Sequence, residues 1–234
     1  MLLLIAWLVA TGVPDLDVST SDIARWEAMD KDFSERFEPF KSNAVGLKEH
    51  AMQLHFSAME VGDCDLALVA QCLELRAQVM LGTSPPPSAL YPRVPSGCDS
   101  DYPRLAYDMG GFMLQRGLTE EAEFQFIAAA RMPKWASHAW NMVGKARMEA
   151  QDFDAAVDAW ERAHAETVQY PNPSILINLG LVHARFDEWT RAYHWFLLAW
   201  EAHEWNKETN AYTFVEDIGS VITINLLRAA TNSR

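Results

Sequence analysis

The side chains best suited to chemistry are seven histidines, three cysteines and 32 carboxylates in a chain of 234 residues. No two histidines have the H-E-x-x-H spacing that places two zinc ligands on one helix face. The chain also lacks the G-x-S-x-G turn of a serine nucleophile and the G-x-x-x-x-G-K-[ST] loop that cradles phosphates. We therefore predict that the protein is not an enzyme, with no catalytic residue, no metal ligand and no cofactor.

The three cysteines are Cys64, Cys72 and Cys98, and none has the C-x-x-C spacing of a metal site. If 64–72 is one helix, the Cα atoms of Cys64 and Cys72 lie about 12 Å apart, at about 1.5 Å per residue. A disulfide needs less than about 7 Å. Two alternatives remain: Cys98 pairs with one of the other two in an oxidising compartment, or all three are free thiols.

The net charge of −13 restricts the class of partner. Nucleic-acid binding needs Lys and Arg to displace the counterions of phosphate, and the sequence has no basic run. Nine Trp, eleven Phe and six Tyr supply ample material for a core. We therefore expect a folded acidic protein that does not bind nucleic acid.

The first ten residues are wholly apolar, and Pro14 and Asp15 end this run early. A bilayer-spanning helix needs about 20 apolar residues, so the segment is more typical of the apolar core of a secretory signal peptide. We predict a signal peptide at 1–12 and export to the periplasm or cell envelope. The alternatives are an uncleaved anchor, which is the one route to membrane association, or a buried N-terminal segment of a cytoplasmic protein.

Apolar residues recur at helical spacing through 19–81 and predict an N-terminal helical region. Two alternatives remain for 47–81: separate helices, or a degenerate copy of the repeat described below. Six of the eleven prolines follow within 82–103. Because proline lacks the amide hydrogen that helices and sheets use, we predict an irregular loop over 82–102, either functional or a linker.

An internal repeat follows the loop and is the strongest pattern in the chain. A glycine is followed after twelve residues by alanine, after four more by an aromatic residue and after three more by alanine. The three copies are Gly110, Ala122, Phe126, Ala129; Gly144, Ala156, Trp160, Ala163; and Gly180, Ala192, Phe196, Ala199. The offsets are 34 and 36 residues, and the extra pair is most easily placed within 168–173.

Each copy predicts two antiparallel helices, because small residues let helix axes approach to about 8–10 Å. Turn residues stand at matching places, Arg116-Gly117, Gln151-Asp152 and Phe186-Asp187. One hairpin cannot bury its apolar face alone, so the copies must stack. The sequence therefore predicts an all-α fold.

Copy two resembles a tetratricopeptide repeat through Trp140, Val143-Gly144, Asp154-Ala155-Ala156, Trp160 and Ala163, and the other copies resemble it in register. The resemblance covers 103–206 and implies a right-handed superhelix of antiparallel helix hairpins. Residues 210–231 then form a C-terminal capping helix. Apolar residues cover several faces of this helix, namely Phe214, Val215, Ile218, Val221, Ile222, Ile224, Leu226 and Leu227. We therefore expect the helix to be buried more than an ordinary cap, against either the N-terminal helices or a second chain.

The resemblance further implies a protein or peptide ligand in a concave groove lined by the first helix of each hairpin. The groove positions are Arg104, Tyr107, Leu114 and Gln115; His138, Asn141, Lys145, Met148 and Glu149; and Ser174, Ile177, Leu181, Ala184 and Arg185. Three fixed cations against one carboxylate favour a ligand that carries a carboxylate. The lysine and asparagine of the family's chaperone-binding clamp are Tyr107 and Gly111 here, so chaperone binding is not predicted.

These observations favour a non-enzymatic scaffold or adaptor that binds a protein segment in the groove. The alternative is a structural subunit of a larger cell-envelope assembly, with the apolar C-terminal helix as its contact. Four tryptophans near the end of copy three, Trp189, Trp195, Trp200 and Trp205, are expected to pack between helices rather than to form a binding platform.

Overall fold

The computed structural model describes residues 18–85, 90–167, 171–209 and 218–232, apart from the side chains of 207–209. The elements in these ranges are all helical, which confirms the predicted all-α class. They are α1 (Thr20–Phe37), α2 (Ala44–Val61), α3 (Cys64–Met80), α4 (Pro103–Gln115), α5 (Thr119–Ala129), α6 (Pro133–Glu149), α7 (Phe153–Ala165), α8 (Pro173–Arg185), α9 (Trp189–Thr209) and α10 (Ile218–Asn232), with a 3-10 turn at Glu38–Phe40.

Several sequence predictions concern residues outside these ranges. They are the signal peptide at 1–12, residues 168–170 of the connection at 168–173, and residues 210–217 of the capping helix, with Phe214 and Val215 among them. Among the helices that the structure describes, none has the length and apolar character needed to cross a bilayer. The chain divides into two compact units, one up to Leu105 and one from Ala106, with the boundary inside α4.

In the first unit, α1 begins with a capping box in which Ser19 and Asp22 satisfy each other's backbone amides. The helix buries Trp26, Met29 and Phe33. Helices α2 and α3 form an antiparallel hairpin, joined by Gly62 in the left-handed conformation that ends α2 (φ 75°). These three helices lie within the region 19–81 that the sequence predicts to be helical.

Residues 90–102 of the proline loop (82–102) are tied to this unit by hydrogen bonds and ion pairs. Gln71 of α3 is fully buried, and both ends of its side-chain amide bond the loop backbone. Its Nε2 donates to the carbonyl of Tyr91 at 2.7 Å, and its Oε1 accepts from the amide of Arg93 at 3.0 Å. The Arg93 guanidinium also pairs with Glu74. One buried helix side chain thus holds the loop backbone through a hydrogen bond at each end of its amide.

A disulfide joins Cys64 at the start of α3 to Cys98 in the proline loop, with Cα atoms 5.6 Å apart. The structure therefore selects the first of the two cysteine alternatives, while Cys72 is buried outside the disulfide. Beside this link, Arg25 of α1 pairs with Asp65 at 2.7 Å and with Asp99 at 2.9 Å. The covalent and ionic links together fix the end of the loop to α1 and α3.

A buried carboxylate lies under the last residues of the loop. Asp30 is 3% exposed, and its Oδ1 accepts a hydrogen bond from the hydroxyl of Tyr102 at 2.9 Å. Burial raises the pKa of the Tyr102 phenol, so the group stays a donor at all ordinary pH values. Arg104 supplies a positive charge 3.6 Å from the same oxygen. The carboxylate is therefore both hydrogen-bonded and charge-compensated.

In the second unit, three hairpins follow one another as α4–α5, α6–α7 and α8–α9. Their turns contain Gly117, Gln151 and Asp187, each at positive φ, at the places where the sequence predicted breakers. The alanines of the repeat are fully buried, namely Ala122, Ala129, Ala156, Ala163, Ala192 and Ala199. The predicted antiparallel hairpins are confirmed, because these small side chains lie where the paired helices meet.

The glycine of each hairpin makes room for the aromatic residue sixteen positions later. A Cβ atom on Gly144 would lie 2.5 Å from Nε1 of Trp160, and one on Gly180 would lie 2.4 Å from Cε1 of Phe196. The ring therefore occupies the volume that any side chain on the first helix would fill. Gly219 in α10 differs, since its nearest neighbour is His203 of the preceding helix.

The last helix, α10, packs on α8 and α9 through one face. Ile222 and Ala229 are buried in a cluster with Phe196 and Ala199 of α9. The opposite face exposes apolar side chains, with 65% of both Ile224 and Leu227 accessible. Within the second unit α8 and α9 cover one face of this helix, and the expectation that a second chain covers another face stays a prediction.

Candidate binding groove

The first helices of hairpins two and three, α6 and α8, carry the predicted groove residues on one face each. Residues spaced three, four and seven apart share a face of an α-helix. On α6 these are His138, Asn141, Lys145, Met148 and Glu149, and on α8 they are Ser174, Ile177, Leu181, Ala184 and Arg185. His138, Lys145, Glu149, Leu181 and Arg185 are exposed, the others are half-buried, and Ile177 is buried.

One hydrogen bond connects the two helices on this face. Nδ2 of Asn178 donates to Oδ1 of Asn141 at 3.0 Å. The backbone carbonyl of Asn141 is also fixed, because it accepts from the indole Nε1 of Trp160 at 3.1 Å. This bond does not use Nδ2 of Asn141, which is a donor group, or Oδ1 of Asn178, which is an acceptor.

The groove residues predicted from hairpin one have a different environment. Tyr107 packs edge-on against Phe126, with ring centroids 5.7 Å apart, and tilts against Trp135 at 5.2 Å. Trp135 in turn contacts His138 at 6.4 Å. Gln115 is exposed at the end of α4, and Leu114 is buried. Tyr107, Trp135 and His138 therefore form an aromatic cluster between the first two hairpins.

Arg104 belongs to the first unit and is engaged there. Its guanidinium lies 3.6 Å above the ring of Phe33, close to Asp30, and only 12% of its side chain is exposed. A guanidinium that compensates a buried carboxylate contributes little charge to a ligand. Of the three cations in the predicted groove, Lys145 and Arg185 are the exposed ones.

The two exposed cations differ in their contacts. Arg185 lies over the ring of Phe153 at 4.8 Å, which holds the guanidinium near the end of α8. Lys145 forms no ion pair with any residue that the structure describes. Desolvation by surrounding protein lowers the pKa of His138 although part of its side chain is exposed, so the imidazole is neutral at pH 7. The fixed charges on this face are then Lys145 and Arg185 against Glu149.

Two residues of this face were not among the predicted groove positions. Asn178 lies three residues before Leu181 and differs from the apolar residues around it in α8, which was the available indication. Trp135 lies in the first turn of α6, where its large side chain was assigned to no position of the repeat. Both depend on contacts with another hairpin, which spacing within one helix does not reveal.

The remaining polar clusters have structural roles. Nδ1 of His183 and Oε2 of Glu188 form a hydrogen bond of 2.6 Å. This hydrogen bond is the main reason that the pKa of the Glu188 carboxyl is lowered. This pair closes the turn between α8 and α9. Within the described ranges, no group of three or more His, Cys, Asp or Glu side chains is arranged to hold a metal ion.

The tryptophans of α9 mostly pack as expected. Trp189 and Trp195 lie against the cluster formed by α8, α9 and α10, and Trp205 is half-buried. Trp195 also meets the edge of His164 from α7 at 6.0 Å. Trp200 is the exposed member, with 37% of its surface accessible. Trp189 and Trp195 therefore serve packing within and between hairpins.

Comparison with known proteins adds little to this description. No protein-family profile matches the chain, and no curated protein is significantly similar to it. Among solved structures, the chain is similar to the crystal structure of MamA protein, with 16% identity and a TM-score of 0.39. That alignment covers 80% of this chain and 92% of the MamA chain. We draw no conclusion from a similarity with this TM-score, and the repeat fold is inferred from the helices and contacts described above.

Proposed function

We propose that this protein is a non-enzymatic scaffold that binds an extended segment of a partner protein across α6 and α8. The observation that supports this most is the hydrogen bond between Asn141 and Asn178. An extended peptide presents alternating N–H and C=O groups, and these match the donor and acceptor of the asparagine pair that this bond does not use. The pairing also fixes both side-chain amides before a ligand arrives, which reduces the entropy lost on binding.

Apolar contacts would supply much of the affinity. Leu181 is 41% exposed beside the asparagine pair, and Met148 is half-buried on the neighbouring helix. The cluster of Tyr107 and Trp135 offers aromatic surface further along, and aromatic side chains are frequent anchors of protein interfaces. An extended segment with apolar side chains at alternate positions fits this surface.

Charge sets the preferred ligand chemistry. Lys145 and Arg185 are the exposed cations of a face on a chain of net charge −13. A carboxylate on the partner segment, either an acidic side chain or a free C-terminus, would find favourable potential there and orient on approach. Glu149 partly offsets this attraction, so charge selects the ligand more than it increases affinity.

Export is part of the same proposal. Disulfides form and persist mainly in oxidising compartments, and Cys64–Cys98 links the proline loop to α3. The apolar segment at 1–12 would direct such a chain out of the cytoplasm. The partner is then expected in the periplasm or at the cell envelope.

Selection of ligands from a displayed library of random peptides tests the groove. We expect enriched peptides that carry a carboxylate and bind the wild-type chain. The double substitution Lys145→Glu with Arg185→Glu should weaken their binding by at least tenfold. The control, Arg191→Glu with Lys41→Glu, makes the same change in net charge at exposed positions outside the groove. Equal loss in both double variants would remove the groove from the proposal.

A further inference from the structure

The exposed face of α10 has an apolar stripe at its centre, with polar residues toward both ends. Val221, Ile224 and Leu227 follow one another at three-residue spacing and are 41%, 65% and 65% exposed. They lie opposite Ile222 and Ala229, which are buried against α9. A continuous apolar stripe on a folded domain marks an interaction surface more often than a solvated face.

The charge of α10 indicates which kind of partner can cover this apolar stripe. Arg228 is the single charged residue of α10, and no carboxylate occurs between Ile218 and Asn232. The chain as a whole carries −13, so two copies repel each other over most of their surfaces. The face of α10 is a place where a second acidic copy can approach without bringing carboxylates together.

The other exposed apolar stripe, on α2, lacks this property. Val45, Met52 and Phe56 are exposed there, and Glu49 stands on the same face between them. Pairing α2 with its own image would bury a carboxylate from each copy in an apolar seam without a compensating charge. Self-association is therefore favoured through α10 and disfavoured through α2.

The sequence of α10 is complementary to its own image. In an antiparallel pair with its twofold axis midway between Asn225 and Leu226, residues whose numbers sum to 451 face each other. Ile224 then meets Leu227 of the second copy at the centre, and Ser220 meets Thr231 at each end. Arg228 meets Thr223 rather than a second cation, and its guanidinium lies over the ring of Trp189 in its own chain at 5.7 Å, so the pairing brings no like charges face to face. Such a contact uses the same patch on both copies, as a closed symmetric dimer requires.

We infer that a second copy of this chain covers the outer face of α10, forming a symmetric antiparallel helix pair. In this helix pair, the second copy buries the side chains of Ile224 and Leu227, which are exposed in a single chain. One helix pair is a small interface, so the dimer is expected to dissociate in the micromolar range. This inference does not depend on the peptide groove, which lies on α6 and α8.

Sedimentation velocity of the full chain, from about 10 to 200 µM, tests the dimer around its expected dissociation constant. The wild type should shift from monomer to dimer mass over this range, and Ile224→Lys should stay monomeric. Phe124→Lys is the matched control, because Phe124 on α5 is 67% exposed and should not affect association. Far-ultraviolet dichroism should show the same helix content and melting temperature in all three proteins, and Leu227→Lys repeats the test if Ile224→Lys fails to fold.

Disulfide trapping tests the register. Mixing chains with Ile224→Cys and chains with Leu227→Cys should give a cross-linked heterodimer, since facing Cα atoms in a close pair can reach the about 7 Å limit of a disulfide. A wild type that stays monomeric at the highest concentration would overturn the inference. So would a dimer that survives Ile224→Lys but is lost in Met52→Lys, which would place the contact on α2.

Discussion

Gly110 stands directly against Phe126: a Cβ atom on the glycine would lie 2.8 Å from Cε1 of the ring. The neighbouring Gly111 has nothing within 4 Å of its Cβ position. We therefore predict that Gly110→Ala lowers the free energy of unfolding by about 1–3 kcal/mol through overpacking. Gly111→Ala should raise it by up to about 1 kcal/mol, because alanine favours a helix over glycine.

Urea denaturation of the two variants measures both effects in one helix. Similar stabilities for Gly110→Ala and Gly111→Ala would mean that close contact between α4 and α5 does not depend on the glycine. The hairpin explanation of the 34- and 36-residue repeat would then lose its physical basis.

Gln71 should be essential to the proline loop. Its replacement by alanine leaves the carbonyl of Tyr91 and the amide of Arg93 without their partner in a partly buried position. Each unpaired group costs about 1–3 kcal/mol, so we expect a loss of about 2–5 kcal/mol in the free energy of unfolding. The exposed Gln53→Ala in α2 is the control and should change stability by less than about 0.5 kcal/mol. Urea denaturation measures the free energy of unfolding of both variants. Equal, small losses in Gln71→Ala and Gln53→Ala would contradict the role of Gln71 in holding the loop.

The disulfide stabilises the fold mainly by restricting the unfolded chain. Cys64 and Cys98 are separated by 34 residues, and closing a loop of that length corresponds to about 4 kcal/mol in the chain-entropy description. Cys64→Ala with Cys98→Ala should therefore lower the free energy of unfolding by about 2–4 kcal/mol. The measurement is denaturation of wild type and double variant, each with and without reductant. Reductant should affect only the wild type, and an identical midpoint for all four samples would count against a formed disulfide.

His55 should make stability depend on pH. Burial, together with the nearby charge of Arg93, lowers the pKa of the His55 imidazole in the folded chain. An unfolded histidine has a pKa of about 6.5, so below that pH the unfolded chain binds more protons than the folded one. The free energy of unfolding should then fall as the pH drops from about 7 through the folded pKa.

The comparison for this prediction is His55→Gln, which removes the titrating group. The difference in stability between wild type and variant should change with pH across the interval between the two pKa values and level off on either side. Parallel profiles between pH 5 and 7.5 would show that His55 is protonated equally in both states.

The repeat could be predicted from sequence because its determinants are local. The glycine, aromatic residue and two alanines lie within twenty residues of one another, and all meet inside a single hairpin. The capping residues of α1 and the turn at Gly62 are equally local. Periodicity within one or two helices therefore fixed the element order and the buried small residues.

Contacts between distant residues could not be predicted in this way. Arg104 was placed in the groove by its position in the repeat, whereas Asp30, 74 residues earlier, holds it in the first unit. The pairing of Asn141 with Asn178 depends on how closely α6 and α8 approach. Apolar composition alone likewise does not show which face of α10 is buried within the chain, because that depends on where α8 and α9 lie.

The central claim, that the face of α6 and α8 binds a protein segment, is tested most directly by the side-chain amide signals of Asn141 and Asn178. In ¹⁵N–¹H spectra of the chain titrated with a peptide selected from the random library, both signals should shift in proportion to the bound fraction. Those of Asn225 and Asn232, which bond the backbone of α10, should stay in place. Saturation of the chain with peptide while the signals of Asn141 and Asn178 remain unchanged would contradict the account.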